Sequence, residues 1–404
     1  MQKGIFEGIK VADFSWVAVV PLTIRYLADH GATVIKIESR NRPDILRSFP
    51  PFKDNIQDPD HNAFFPNYNC NKYGITLNMN HPKAREVAKR IISWADVVAE
   101  SFIPGTMKSW GLGYEDIVKF KPEIIMISST MQGQTGPRKM LAGYGVHLAS
   151  LTGFTSLVGW PDRTPAVPYG AITDFIVPKF NVVSIVAALI YRRRTGKGQY
   201  IDVSQFETGL QFLASAVLDF QANGRDLYRR GNRDDQAVPH AVFPVKGEDR
   251  WIAIAVYNHE QWKALTELVG DRELIYSERF STFEMRRRNE DELEERISRW
   301  TKNFDGKELM ELLQSRGIPA GVVHDARGTH EDPQLIHRKH FWRLKHPVIG
   351  EHSYDAHAFR FSKTPAQPRM PAPCLGEHND YVYTKILGFS DDEFANLIVD
   401  GVID

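Results

Sequence analysis

The chain has 404 residues, 42% hydrophobic and 25% charged, a composition that suits a soluble globular protein with room for two cores and excludes a disordered chain. Lys plus Arg equals Asp plus Glu at 50 each, so no global basic field is present to hold nucleic acid or an anionic membrane by charge. The two cysteines, Cys70 and Cys374, lie far apart and read as reduced thiols of a cytoplasmic protein rather than as a disulfide. Residues 1–6 have neither the apolar region of a signal peptide nor the Arg/Ser-rich character of a transit peptide, so no export is expected.

In chain order, residues 9–14 form a β-rich apolar run, and residues 21–30 follow with helical spacing and Pro21 at the first turn. Gly31 closes that helix before a second apolar run at 32–37, which completes a βαβ unit. The alternation continues with strands at 74–79, 97–100 and 124–129 and helices at 82–94 and 114–120. Such repetition predicts an α/β fold, a mainly parallel sheet with helices on both faces. Further helices are expected at 180–194 and 204–221. The apolar run 182–190 is about half of the roughly 20 residues that span a bilayer, and reads as a buried helix segment. Gly, Arg and Asp give 223–236 the polarity of a linker. Beyond it, a strand at 250–256 and helices at 260–268, 291–300 and 307–315 predict a smaller α/β domain ending near Val323. The remainder is rich in Pro and His, with Pro365, Pro368, Pro371 and Pro373 close together, and reads as a segment that wraps an existing surface instead of building core.

Ligands of a parallel α/β sheet bind at the carboxyl ends of its strands, so the turns after Phe14, Ile37, Glu100 and Ser129 are the places for a site. None contains GxGxxG and no Walker A run occurs, which argues against a dinucleotide-binding or P-loop enzyme. The 14 histidines, His337, His340, His346, His352 and His357 among them, match no zinc spacing, and CxxC pairs are absent, so no metal site is expected. The Arg192, Arg193 and Arg194 run opposes the negative end of a helix dipole, and Asp202 and Glu207 read as structural. The strongest local signal is YGAITDF at 169–175, which sets Asp174 in a Gly/Ala-rich turn before Pro178 and a long apolar helix. Asp174 is a helix cap on one reading. On the other it is a nucleophile for a thioester, with helix-start N–H groups to hold the oxyanion.

Several segments, taken together and in order, decide between these. They are ADFS at 12–15, VIKIE at 34–38, NCNKYGITLNM at 69–79, ESFIPG at 100–105, WGLGY at 110–114 and GQTGP at 133–137. AGYG at 142–145, TGKGQYIDVSQFE at 195–207, RGIPAGVV at 316–323 and LGEHND at 375–380 complete the series. In this collinear pattern the chain resembles the class III CoA-transferase (CaiB/BaiF-like) family. The resemblance implies that Asp174 is the catalytic aspartate, attacking an acyl-CoA to give a mixed anhydride and then an aspartyl-CoA thioester, from which an acceptor carboxylic acid takes CoA. Coenzyme A and acyl-CoA are then substrates, with no tightly bound cofactor.

The resemblance also implies a Rossmann-like large domain formed by residues 1–222 and 326–404, a linker at 223–236, a small domain at 237–325, and two subunits threaded as interlocked rings. A homodimer is one such assembly, and a heterodimer or heterotetramer with a related subunit is another. The CoA positions it implies are Val17, Ala18, Ser39, Arg40, Asn71, Lys72, Ser101 and Phe102, with Phe102 either stacked on adenine or part of the core. Ala18 stands where formyl-CoA transferase has Gln and Ser39 where it has Arg. Lys108, Arg138 and Lys139 are further candidates for the CoA phosphates, with solvated surface as the alternative. Tyr144 stands where related acyl-CoA racemases carry a histidine, and tyrosine is a poor acid/base near neutral pH; His147 is expected to pack on the following helix. Succinyl-CoA is an expected donor and a benzylsuccinate-like aromatic dicarboxylate an expected acceptor, with carnitine, oxalate and bile-acid substrates left open. A racemase or epimerase, and a CoA-ester-binding subunit without catalysis, are the alternatives.

Overall fold

A computed structural model describes residues 3–168 and 170–404, so Tyr169, the first residue of the YGAITDF run, and the first two residues of the chain lie outside the described residues. The chain forms two compact units. The first comprises Met1–Ser156, Ala166–Leu227 and Gln334–Asp404; the second comprises Leu157–Pro165 and Tyr228–Pro333.

The first unit is built on strands β1 (Lys10–Asp13), β2 (Thr33–Glu38), β3 (Tyr73–Thr76), β4 (Val97–Glu100), β5 (Ile125–Thr130) and β6 (Gln199–Ser204). All pair in parallel, in the order β3-β2-β1-β4-β5-β6. The strands are apolar on both sides, and successive residues feed opposite cores: Val11, Val97 and Ile125 face one, Ala12, Val98 and Met126 the other. Helices α1 (Val19–Asp29) and α4 (Ile172–Thr195) close the first face through Val20, Ile24, Leu27, Ile185 and Ala188. On the other face lies α2 (Ala84–Trp94), whose Val87, Ala88, Ile91 and Ile92 repeat at helical spacing. A shorter helix, α3 (Gly145–Thr152), precedes α4 in the chain.

Three expectations change. Strand β6 was read only as a motif, although Ile201 and Val203 alternate as a strand should. The helix expected at 204–221 divides into α5 (Gln205–Gln211) and α6 (Ala214–Asn223). Helix α4 begins at Ile172, earlier than expected, and takes Pro178 into its interior. It buries Val177, Asn181, Ile185 and Ala188 but exposes Phe180, Val183, Ile190 and Tyr191, so in the single chain it is buried on one face only.

The second unit carries an antiparallel sheet of β7 (His240–Pro244), β8 (Trp251–Ala255) and β9 (Ala320–Val322). Helices α7 (His259–Val269), α8 (Glu290–Thr301) and α9 (Gly306–Ser315) cover it around Phe243, Ile252, Trp262, Leu293, Ile297 and Leu309.

The chain after Gln334 does more than wrap. A hairpin, β10 (Phe341–His346) and β11 (Gly350–Asp355), places Tyr354 in a cluster with Phe65 and Tyr68. The Pro-rich stretch is exposed at Pro365 and Pro368 but buries Ala372 and Pro373, and the Asn71 side chain accepts from the amides of Arg369 and Met370, both at 2.8 Å. Val382, Tyr383, Phe389, Val402 and Ile403, however, are buried in the same core as α2, and the Tyr383 hydroxyl donates to the Thr76 carbonyl at 2.8 Å. Pro spacing signalled an extended path but not the apolar positions beyond it. Phe389→Ala should therefore cost about 3 kcal/mol in urea unfolding, and Tyr383→Phe about 1 kcal/mol. Values near zero for both would return this segment to the surface.

Candidate active site

The strand order reverses at β1 and β4: the chain steps outward from β1 to β2 and β3 on one side, and from β4 to β5 and β6 on the other. At such a point neighbouring loops diverge and leave a crevice at the carboxyl end of the sheet. A cavity of about 620 Å³ occupies that place. Its walls come from the loop after β1 (Phe14 to Val19), the ends of β2 and β3, Ser101 to Ile103 after β4, and Thr130 and Met131 after β5. Gly143, Tyr144, Gly145 and Asp174 also line it, with Arg42 and Trp110.

Asp174 sits in the first turn of α4, three residues past the N-cap Ala171, and among the described residues no side chain caps this helix, so the helix-cap reading of Asp174 does not hold. Pro178, four residues on, has no N–H to donate to the Asp174 carbonyl, which loosens the helix ladder at this residue. Burial pushes the Asp174 carboxyl up to about 7. Burial, and then the Asp174 charge, likewise hold the neighbouring Tyr68 phenol protonated. Gly145 opens α3 against this carboxyl: a Cβ there would stand 2.5 Å from Asp174 Oδ1 and closer still to the Ala171 Cβ. The second Gly of AGYG is thus required by contact, which the motif did not reveal.

Of the expected CoA positions, Val17, Ala18, Ser39, Ser101 and Phe102 share this cavity with Asp174. Phe102 packs edge-on to Trp16 and Trp110 at the margin of the core and also faces the cavity. The others are placed elsewhere. Lys72 is fully buried, and its three ammonium donors go to Asp13, the Pro21 carbonyl and Asn69, each at 2.9 Å. Asn71 is spent on Asp29, the Gln367 carbonyl and the tail amides. Neither has a donor left for a phosphate. Arg40 turns toward the C-terminus, its amide on Asp404 Oδ1 at 3.0 Å, and Lys108, Arg138 and Lys139 are exposed off the cavity wall. Among the described residues the lining cation is Arg42, with its guanidinium 5.3 Å from the Trp16 ring centre. Sequence proximity to Arg40 was the available signal, and it did not tell which of the two arginines turns inward.

Tyr144 lies on the wall, edge-on to Phe49, and its amide donates to His147 Nδ1 at 3.1 Å. His147 thus caps α3, a local role different from packing on the following helix. A second buried acid, Glu100, ends β4; burial pushes it up to about 7, and it accepts the Phe102 amide at 2.7 Å.

Comparison with known proteins agrees with this geometry. A family model described as CoA-transferase family III matches residues 6–379. The chain is similar to succinyl-CoA–D-citramalate CoA-transferase of Chloroflexus aurantiacus, 30% identical over 397 residues that cover 98% of both chains. It is also 30% identical to human succinyl-CoA:glutarate CoA-transferase over 400 residues, 98% of this chain and 90% of that one. Its fold matches the crystal structure of a CAIB/BAIF family protein from Brucella suis with a TM-score of 0.88 at 30% identity, covering 95% of this chain and 100% of that one. With a Rossmann-order sheet, an acid at its switch point and a family match along nearly the whole chain, this protein belongs to the class III CoA-transferases.

Proposed function

We propose that the protein moves CoA from succinyl-CoA to a short dicarboxylic acid, with Asp174 as the nucleophile. The observation that carries this reading is a desolvated carboxyl, raised to about 7, on the wall of the switch-point cavity. A carboxylate poorly solvated in the ground state is a stronger nucleophile than one in water. The relatives named above take citramalate and glutarate, both aliphatic dicarboxylates, which favours such an acceptor over the aromatic one anticipated from the sequence.

The ionised Asp174 attacks the thioester carbonyl; the C–S bond breaks and CoA leaves as thiolate. The thiolate attacks the aspartyl side of the resulting anhydride, succinate departs, and an aspartyl-CoA thioester remains. The acceptor carboxylate attacks that thioester and frees the thiolate again. The thiolate then takes the acceptor acyl group and Asp174 is restored. No proton or electron is gained or lost overall, which fits a site built around one acid. Tyr144 in place of a histidine supports transfer over racemisation.

A dimer is part of this reading. Phe180, Val183, Phe212, Leu218 and Phe220 leave α4, α6 and the turn between α5 and α6 apolar and exposed in the single chain, a surface suited to a second subunit.

Three outcomes follow. Incubation with succinyl-CoA and trapping with hydroxylamine or borohydride should modify Asp174 in mass spectra, and Asp174→Ala should abolish both adduct and transfer; full transfer by the variant would sink the nucleophile assignment. Because the folded carboxyl stays protonated up to about 7 while the unfolded one releases its proton near 3.9, stability is fully present below about 4 and declines as pH rises toward 7. Asp174→Asn should flatten that decline in thermal melts, while wild-type transfer climbs with pH through about 7 as the nucleophile ionises. Gly145→Ala should lower kcat by about 100-fold with CoA affinity retained, since the added methyl displaces the carboxyl and not the CoA pocket; an unchanged kcat would refute the contact.

A further inference from the structure

Six fully or nearly fully buried charges lie beneath the cavity floor: Asp13, Glu38 and Asp44 against Lys36, Lys72 and Arg47, none more than 3% exposed. They pair as Lys72–Asp13, Lys36–Asp44 and Arg47–Glu38, each at 2.9 Å. So many desolvated charges are a costly way to build a core, and apolar residues would serve as well for stability alone.

Their contacts converge on one loop, residues 15–17 after β1. The Ser15 amide and hydroxyl both go to Asp13 Oδ1, and the Ser15 carbonyl accepts the Lys36 ammonium. The Trp16 amide and carbonyl are both taken by the Ser101 hydroxyl at 3.0 Å. The Val17 amide donates to Asp44 Oδ1 at 2.9 Å. Val17 has a φ of +66°, the left-handed region that a β-branched side chain disfavours, and it forms the cavity wall together with Trp16 and Ala18. Asp44 is itself held, its amide on Glu38 Oε1 at 3.1 Å and its other oxygen on Lys36.

We propose that Asp44, backed by Lys36, is a positioning residue for acyl-CoA: it holds Val17 in the left-handed conformation that shapes the CoA-binding wall. The inference rests on the transferase reading. Asp44 acts through the loop and touches no reacting atom. Ordinary β-branched backbone would carry the Val17 side chain and the indole of Trp16, with Arg42 over it, away from their places at the crevice.

The test is a double-mutant cycle between Asp44→Asn and Val17→Gly, read as the Kd for free CoA by titration calorimetry, with KM and kcat for succinyl-CoA alongside. In the wild-type background Asp44→Asn should raise Kd and KM about tenfold or more, with kcat changed less than about threefold and Asp174 still trapped at saturating donor. In the Val17→Gly background, where a positive φ costs nothing, the same substitution should change Kd by less than about threefold. Should Asp44→Asn fail to fold, Lys36→Met/Asp44→Asn removes both charges together and takes its place. An unchanged Kd and KM in a folded variant, or an equal effect in both backgrounds, overturns the positioning role. CoA binding intact in wild type but no adduct on Asp174 would instead count against the proposed nucleophile, and wild type that binds no CoA would sink both.

Discussion

Where the order of a parallel sheet reverses, the loops leaving two adjacent strands run to opposite faces, and nothing in the sheet itself fills the gap between them. Here β1 and β4 are those strands, and every feature of the site depends on that gap. The loop after β1 and the segment after β4 are tied across it by the Ser101 hydroxyl, while α4 brings Asp174 and α3 brings Gly145 to its rim. Strands apolar on both faces make the platform rigid, since they must be covered by helices on each side.

The polar floor beneath the cavity has a different logic from the core. Burial disfavours the charge on Asp13, but Lys72 and Lys36 outweigh it and hold the carboxyl below the usual carboxylate range. Burial also opposes ionisation of Glu38, and the Arg47 guanidinium overcomes it. Among the described residues no such cation acts on Asp174: burial has little to offset it, and its carboxyl rises to about 7. Acids of one chemical type thus divide into a set kept ionised by cationic partners and two, Asp174 and Glu100, that burial raises to about 7. That contrast is what a carboxylate nucleophile requires.

Backbone conformation makes the same division. Strain at Val17 persists because charged groups over-determine the loop around it, and Pro178 takes one donor from the ladder of the helix that carries Asp174. Both departures from regular structure fall beside the cavity.

The sequence by itself determined the α/β class and the parallel sheet, because periodicity and turn chemistry are local and are written in neighbouring residues, but it set Asp174 before a helix that in fact begins at Ile172. The collinear motifs carried the family, and five of the implied CoA positions lie with Asp174 at one cavity. Tertiary structure alone decided which cations face that cavity. Lys72 reads as a free amine in sequence, yet the fold brings Asp13, 59 residues away, to neutralise it, while Arg42 turns inward over Trp16. The same holds for the C-terminal segment, whose apolar residues complete a core begun some 300 positions earlier, as the Tyr383 bond to Thr76 shows with a separation of 307 residues. Pairing of charges and closure of a core are properties of distance in space, and no spacing along the chain encodes them.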